Sequence, residues 1–497
     1  MLNKKFKNEN ITSIIRKRAL QDKVALICDD GQLTYSDLLA LVDTYAGKLH
    51  FLGIKRHTKV VTLLSNGLAM TAIMLAIADI GATLVPLNPE YKNNQVVQAI
   101  QSSGAEFIIH EQDLLLQHSI NKIDIRHFEH VPYQEYIRSG RAEDMYILTM
   151  TSGSTGNPKP IIFSQQTKIT RAFGAQQLYG LSARDTILCA TPQYHSLAQR
   201  LTLLPLLMGA TCYLLKGFSP QSWLNAIEQR QVTFTIAVSS QLVSILPFLA
   251  KHDHAIKSLR RIVSSSSPIE KKYKEQLIEL LSCPIHECYG ASEVGTVSDF
   301  DASCERYKIS SVGRIVPQAE VVIRDSNANP LNKNEVGEIT VKSSTSFLGY
   351  FEKPELTNEA IKDGFFYTGD LGYMDDDGYL YFKGRKKDII ISGGINIYPE
   401  DIESVVGTFN DVVESAAFPI PSSHFGEITA VAFVAKTKVA IKEMRKWCSN
   451  HLAAHQVPIF FIQVEELPKT ALGKIQRNQC QSIFGSKFAK KAKSIKL

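Results

Sequence analysis

"MYILTMTSGSTGNPKPIIF" occupies residues 145–163. Two apolar runs flank a loop that carries four hydroxyl side chains (Thr151, Ser152, Ser154, Thr155), two glycines (Gly153, Gly156) and Lys159. The runs have the length and composition of buried strands, so the stretch reads strand–loop–strand. A Walker A loop needs Gly-Lys-Ser/Thr opening a helix. Here Lys159 sits between Pro158 and Pro160, which argues against a P-loop NTPase. The physics of an oxygen-holding loop remains: glycines let backbone N–H groups converge, hydroxyls add donors, and Lys159 adds charge. Taken alone, such a loop is more often a flexible turn.

Outward from this loop, short apolar runs alternate with helical patterns. "TILCAT", "VTFTIAV", "RRIV" and "PIHECYG" read as buried strands. "SPQSWLNAIEQRQ" and "SPIEKKYKEQLIELLS" each predict a helix with a serine cap and proline at its first position. The apolar stretch 70–87 reads as a buried helix turning into a strand, because Asp79, Gly81 and Pro86 interrupt it as a membrane span. Strands alternating with helices predict an α/β fold of stacked, mostly parallel sheets. From about residue 312 the pattern turns to hairpins, "AEVVIRDSNANPLNKNEVGEITVKSS" and "DDDGYLYFKGR", which predict a β-rich subdomain. A small α+β domain follows, with "KDIII", "PEDIESVVGTF", "ITAVAFVAK", "AIKEMRKWCSNHL" and "PIFFIQVEEL". The expected division is a large domain over 1–386 and a small one over 387–497.

The chain has 497 residues, too many for one core, and its 44% hydrophobic and 21% charged content is that of a globular protein. Net charge is +6, and five lysines between positions 487 and 496 account for most of it. Without a basic face or a reader motif, no nucleic-acid partner is expected, and the tail reads as a solvated end. The eight cysteines form no CxxC pair. Cys283, His286 and Cys288 lack the ligand number for zinc, and the expectation is reduced thiols in a cytoplasmic protein. "MLNKKFKNEN" contains no apolar core of a secretory signal.

Four further motifs follow the loop in order: "YGASEVG" (289–295), "YTGDLG" (367–372), "GRKKDIIISGGINIYPEDIE" (384–403) and "PKTALGKIQR" (468–477). With them the chain resembles the adenylate-forming superfamily of acyl- and aryl-CoA synthetases, luciferases and peptide-synthetase adenylation domains. The resemblance runs from "LTYSDLLALVDTYAGKL" to Arg477. It implies that Thr151, Ser152, Gly153, Ser154, Thr155, Gly156 and Lys159 hold the β- and γ-phosphates of ATP. It also implies that Tyr289, with Gly290 after it, stacks on adenine, Ser292 reaches the α-phosphate and Glu293 holds Mg²⁺. Asp370 would take the ribose hydroxyls with Arg385 assisting, and Lys474 would be the catalytic cation of adenylation. Each assignment suits its chemistry, since a carboxylate accepts from a diol and a hard oxygen ligand suits magnesium. In isolation, Asp370 reads more readily as a turn aspartate and Tyr289 as a core aromatic; for all of these residues together that reading fails. The resemblance further implies a hinge at Lys387 about which the small domain swings, and a thiol tunnel along Ser392, Gly393 and Gly394.

Amino-acid-activating relatives hold the substrate ammonium with an aspartate after "TPQ". "TPQYHSLAQR" has His195 there instead, pointing to a simple carboxylic acid. "SSSSP" (264–268) replaces a "SGGAP"-like run along the acyl pocket. The added bulk of Ser265 and Ser266 predicts a short-chain or aromatic acid rather than a fatty one. The function expected is acid:CoA ligation through an acyl-adenylate. Two alternatives stand: a ligase loading the phosphopantetheine of an acyl carrier protein, and a silent nucleotide-binding scaffold. The scaffold would be marked by loss of Lys474, Glu293 or Asp370, and all three are present.

Overall fold

The computed structural model describes residues 8–116, 118–151, 159–249, 256–422, 424–470 and 473–488. Loop positions Ser152, Gly153, Ser154, Thr155 and Gly156, the side chain of Thr151 and the tail from 489 lie outside the described residues.

The opening stretch folds as its pattern predicts. Strand Met145–Thr151 pairs in parallel with Thr83–Pro86 and antiparallel with Lys159–Ser164, at the edge of a six-stranded sheet. Burial on both faces explains the uninterrupted apolar runs. Helix Leu68–Ile80, feeding Thr83–Pro86, is buried from Met70 through Ile80. Its Asp79 is buried too, and tolerates this because the hydroxyls of Thr12 and Tyr136 donate to it. Gly81 ends the helix at φ +84°, a left-handed conformation that glycine adopts without a Cβ penalty.

A second sheet has nine strands. Phe234–Val238, Arg261–Ser265 and Ile285–Ala291 lie side by side in parallel, and Ile285–Ala291 turns back as the antiparallel strand Gly295–Asp301. The two sheets share one apolar core, in which Val60, Leu84 and Ile147 of the first join Leu26, Ile187 and Ile236 of the second. A five-stranded antiparallel sheet carries Phe365–Met374 beside Leu380–Arg385. A further sheet, Ile390–Ser392 to Phe460–Gln463, is covered by helices Pro399–Val406, Ile441–His451 and Arg477–Phe484. The fold is therefore α/β, with stacked mostly parallel sheets, a β-rich region and a C-terminal α+β unit. Among the described residues, no helix is long and apolar enough to cross a membrane.

Local chemistry explains one expected helix start and corrects the other. Pro220–Arg230 begins with Ser219 as its cap, whose hydroxyl accepts from the Ser222 N–H. The second helix starts at Lys271, not at Pro268. The residues before it are drawn into tertiary bonds instead: the Ser267 carbonyl accepts from the Ser239 hydroxyl, and the Ile269 N–H donates to Glu287 Oε1 at 3.0 Å. These contacts hold 267–269 outside the helix and outcompete the capping geometry.

The C-terminal unit docks through polar contacts. Lys272 Nζ donates to the carbonyls of Gly407 (2.7 Å) and Val412 (3.2 Å), and Lys383 pairs with Asp401 at 3.2 Å. Such contacts are individually weak.

Candidate active site

The hairpin between Ile285–Ala291 and Gly295–Asp301 lies at the carboxyl ends of the parallel strands, where α/β sheets present ligand crevices. Its backbone approaches itself closely. A Cβ on Gly290 would lie 2.0 Å from the Gly295 carbonyl oxygen, so only glycine fits. Arg171, buried on helix Gln165–Tyr179, clamps the turn from behind. Its NH2 donates to the Ser292 and Glu293 carbonyls (2.9 and 3.3 Å) and its Nε to the Thr345 carbonyl (2.9 Å). The Glu293 carboxylate accepts from the Tyr350 hydroxyl at 3.1 Å through Oε1.

Beside this turn, Asp370 is buried (4% exposed) on strand Phe365–Met374. The Tyr289 hydroxyl donates to its Oδ2 at 2.9 Å. Arg385, its register partner across the sheet, places Nε 3.1 Å from Oδ1. Burial pushes the Asp370 carboxyl above the usual aspartate range, against the opposing pull of Arg385, Tyr289 and Lys474. Oδ1 has no hydrogen bond of proper geometry, so this carboxylate holds unspent accepting capacity, as a site for a diol requires.

Lys474 reaches this cluster from the C-terminal unit. The turn before it is tied by Gly473 N–H to the Thr470 carbonyl and by Thr470 N–H to the Lys474 carbonyl, both at 2.8 Å. Gly473 has φ +76°, and a Cβ there would lie 2.4 Å from Ser240 Oγ on the opposing domain. The Lys474 side chain keeps contact with solvent. Even so, desolvation lowers its pKa first and the like charges of Arg385 and Arg477 lower it further, against Asp370 and Asp388. Three residues on, Arg477 grips Glu403 with two nitrogens (2.8 and 2.6 Å), Glu400 at 2.8 Å and Asp388 at 3.3 Å. That clasp ties the Lys474 segment to the residues next to Lys387.

His195 precedes helix Ser196–Met208 with its ring 4.3 Å from that of Tyr194. Its Nε2 is buried without a partner, and burial lowers its pKa to about 4, so the ring is neutral at neutral pH. Ser265 ends strand Arg261–Ser265, in the strand beside that of Cys288. Ser266 follows at φ +82°. A glycine would adopt that conformation freely, whereas a serine is strained in it by about 1 kcal/mol. Cys283, His286 and Cys288 lie in or beside a core strand, and His286 Nδ1 pairs with Asp299 at 2.7 Å.

The structure brings Tyr289, Asp370, Arg385 and Lys474 together, with Ser292 and Glu293 on the adjoining turn. Lys159 begins its strand in register with Thr151. Lys387 is exposed within the single turn Lys386–Asp388. Gly393 and Gly394 form the exposed hairpin tip after Ser392, with φ +58° and +82°, and among the described residues no hydrogen bond or ion pair joins them to Asp370. Sequence reasoning missed Arg171, Tyr350 and Arg477. The signal for Arg171 was available: Lys168 and Arg171 share one helical face with no acid within a turn.

A model of the AMP-binding enzyme family matches residues 15–351, and one of the AMP-binding enzyme C-terminal domain matches 401–474. The chain is 30% identical over 475 residues to the 2-succinylbenzoate–CoA ligase of Bacillus cytotoxicus, covering 94% of this chain and 97% of that one. It is 28% identical to the enzyme of the same name from Bacillus licheniformis, covering 93% and 98%. Among solved structures it resembles o-succinylbenzoate CoA synthetase (MenE) from Bacillus subtilis in complex with the acyl-adenylate intermediate OSB-AMP. That match has a TM-score of 0.89 at 25% identity, over 96% and 98% of the two chains. It also resembles the amide bond synthetase McbA from Marinactinospora thermotolerans, with a TM-score of 0.85 at 25% identity over 95% and 99%. On a family match that spans more than half its length, this chain belongs to the AMP-binding enzymes.

Proposed function

We propose that the chain is an ATP-dependent acid:CoA ligase that activates an aromatic carboxylic acid as its acyl-adenylate and passes the acyl group to the thiol of CoA. The observation that carries this reading is the buried Asp370, with Tyr289 and Arg385 upon it and a lysine from the other domain beside it. In the first step the acid's carboxylate oxygen bonds to the α-phosphorus of ATP, and the bond to the departing pyrophosphate breaks. Two anions must meet, and a cation aimed at both lowers that barrier. Lys474 is the residue we assign to this task. Asp370 binds the ribose diol, Tyr289 flanks the base, and Ser292 faces the α-phosphate.

Magnesium, when bound with ATP, neutralises phosphate charge. Glu293 is its protein ligand in our reading, since one of its oxygens has no partner among the described residues, and magnesium suits one or two carboxylates plus phosphates and water. In the second step the CoA thiol attacks the acyl carbonyl and AMP leaves. We assign the hinge for the intervening rotation to Lys387, with the domains divided at 386/387. Ser392, Gly393 and Gly394 then line the path of the thiol, and the loop 151–159 covers the pyrophosphate. His195, Ser265 and Ser266 border the acyl group.

The CoA-ligase names of the curated relatives support CoA over a carrier protein as acceptor. The likeness to an amide bond synthetase keeps an amine in view as a competing acceptor. ATP–pyrophosphate exchange across a panel of carboxylic acids, followed by CoA, a phosphopantetheinylated carrier protein or an amine, separates these readings. The expected result is exchange with an aromatic acid and product only with CoA. Efficient turnover of palmitate refutes the acyl assignment, and absence of exchange with every acid supports the silent scaffold.

A further inference from the structure

We propose, resting on the acid-ligase reading above, that Glu400 is a positioning residue for the two-step reaction. Carrying a proton, it holds the small domain in the pose that brings Lys474 to Asp370, and on losing that proton it frees the domain for the second step. Glu400 stands in the first turn of helix Pro399–Val406, which packs on strand Leu380–Arg385 of the large domain. Its carboxyl fills the space beside Gly384, where a Cβ would collide with Glu400 Oε2. Oε2 is buried and has no hydrogen-bond partner among the described residues, although the side chain as a whole is 23% exposed. One residue on, Asp401 crosses the same seam to Lys383 at 3.2 Å.

The charges around Arg477 do not balance. Three carboxylates converge on its one guanidinium: Glu403 through Nε and NH2 (2.8 and 2.6 Å), Glu400 Oε1 through NH2 (2.8 Å) and Asp388 through NH1 (3.3 Å). The other cations on the elements packed around Glu400 are spent elsewhere. On strand Leu380–Arg385, Lys383 pairs with Asp401 and Arg385 with Asp370, while Lys386 in the turn beside Asp388 pairs with Glu338. On helix Lys271–Leu280, Lys272 answers Glu270 at 3.2 Å. Beside strand Val412–Ser422, Lys469 pairs with Glu414, and Arg445 of helix Ile441–His451 donates to the Ile459 carbonyl. Cys480, on the Arg477 helix, is held as a neutral thiol, its pKa pushed up to about 11 by burial.

Three carboxylates on one cation in a largely dry seam keep a proton among them, because like charges and desolvation both disfavour the ionised form. Glu403 takes two bonds from Arg477 and a third from the Ala417 N–H, so it is the group best held as an anion. Glu400, with one shared bond and an orphaned oxygen, is the group that holds the proton. Burial pushes its carboxyl up to about 7 against the pull of Arg477, and the charges of Glu403 and Asp388 add to the rise. Once the helix leaves Gly384, water reaches Oε2 and the ordinary glutamate value of about 4.3 returns. Docking therefore takes up a proton from water and release returns it. The advantage of the docked pose is full below about 4.3 and is lost as pH rises through about 7.

The test uses the full chain as wild type and as Glu400→Gln, which keeps the shape of the side chain and cannot ionise. The rate of ATP–pyrophosphate exchange with 2-succinylbenzoate is divided by the rate of thioester formation from its synthetic acyl-AMP and CoA. Effects of pH on the phosphates, the thiol and Lys474 cancel between the two proteins. Relative to Glu400→Gln, the wild-type ratio should fall about 10- to 30-fold from roughly pH 5.5 to 8, most of it below about 7, at tenfold per pH unit where only the docked form keeps its proton. Hydrogen exchange of strand Leu380–Arg385 without substrate should lose protection over the same window in the wild type alone. A wild-type ratio that runs parallel to that of Glu400→Gln at every pH overturns the proposal and leaves the ligase reading intact. A loss in Glu400→Gln that is uniform in pH also overturns it, because it marks a structural role. Should Glu400→Gln fail to fold, Glu400→Ala, which also removes the titrating group, takes its place in the same comparison. Exchange with no acid at all overturns the ligase reading, and the hydrogen-exchange comparison then decides by itself whether Glu400 controls the seam.

Discussion

Replacing Tyr289 by phenylalanine removes one oxygen and leaves the ring in place against Phe382. That oxygen is the donor to Asp370 Oδ2 at 2.9 Å, and Asp370 is 4% exposed, so no water stands ready to replace it. A hydrogen bond to a buried charged group contributes about 1.5–3 kcal/mol, which sets the expected cost of Tyr289→Phe to unliganded stability at pH 7. The pH dependence has a definite sign. Asp370 already sits above the usual aspartate range because of burial, so the folded state disfavours its charged form. The resulting destabilisation is present above the folded pKa and relieved as pH falls through it. Tyr289→Phe raises that pKa further, so the gap between variant and wild type should narrow on acidification. If the charged form binds the ribose, ATP affinity should fall about 10-fold or more at pH 7, with its acidic limb displaced to higher pH. Urea unfolding from pH 4 to 8, paired with ATP titration calorimetry, measures both. A stability difference that is independent of pH, or ATP affinity unchanged in the variant, would show that the Tyr289 hydroxyl does not support a charged Asp370.

Lys474→Ala should slow adenylate formation by about 10²- to 10³-fold while thioester formation from synthetic acyl-AMP persists, and equal loss in both half-reactions would refute the division of labour. Because the Lys474 pKa is lowered by burial and by Arg385 and Arg477, adenylation in the wild type should decline at a pH below the ordinary lysine range of about 10.4. Gly290→Ala forces a methyl into the Gly295 carbonyl, so a loss of about 2 kcal/mol or more in urea unfolding is expected, together with loss of activity. The His195 ring should show an NMR titration midpoint near 4; a midpoint near 6.5 would mean that it is solvated and does not form a dry wall. Lys272→Ala removes two donors to the small domain, so adenylation should fall about 5-fold while the thioester half-reaction is spared.

The parts of this molecule legible in its sequence are those governed by local pattern. The strand–loop–strand at 145–163, the buried helix in 70–87 and the capped helix at Pro220 follow from periodicity and capping, which neighbours in sequence determine. The helix beginning at Lys271 departs from its local signal because Ser239 and Glu287, far away in the chain, claim the residues before it. The site divides in the same way. Motif order identified Tyr289 and Asp370 individually, but their hydrogen bond spans 81 positions. Arg171 escaped notice because its partners are backbone carbonyls, which every residue has. Ser266 shows the opposite case, where a left-handed backbone conformation carries a residue that does not announce it.

In the proposed order of steps, Lys474 and the Asp370 cluster together join a carboxylate to AMP before a thiol takes it. A single turnover with 2-succinylbenzoate, ATP, magnesium and CoA, quenched over time and read by mass spectrometry, tests that order directly. Acyl-AMP should rise and then decay into acyl-CoA, with one AMP and one pyrophosphate released per thioester. Formation of ADP and phosphate, or of thioester without any preceding acyl-AMP, would contradict it.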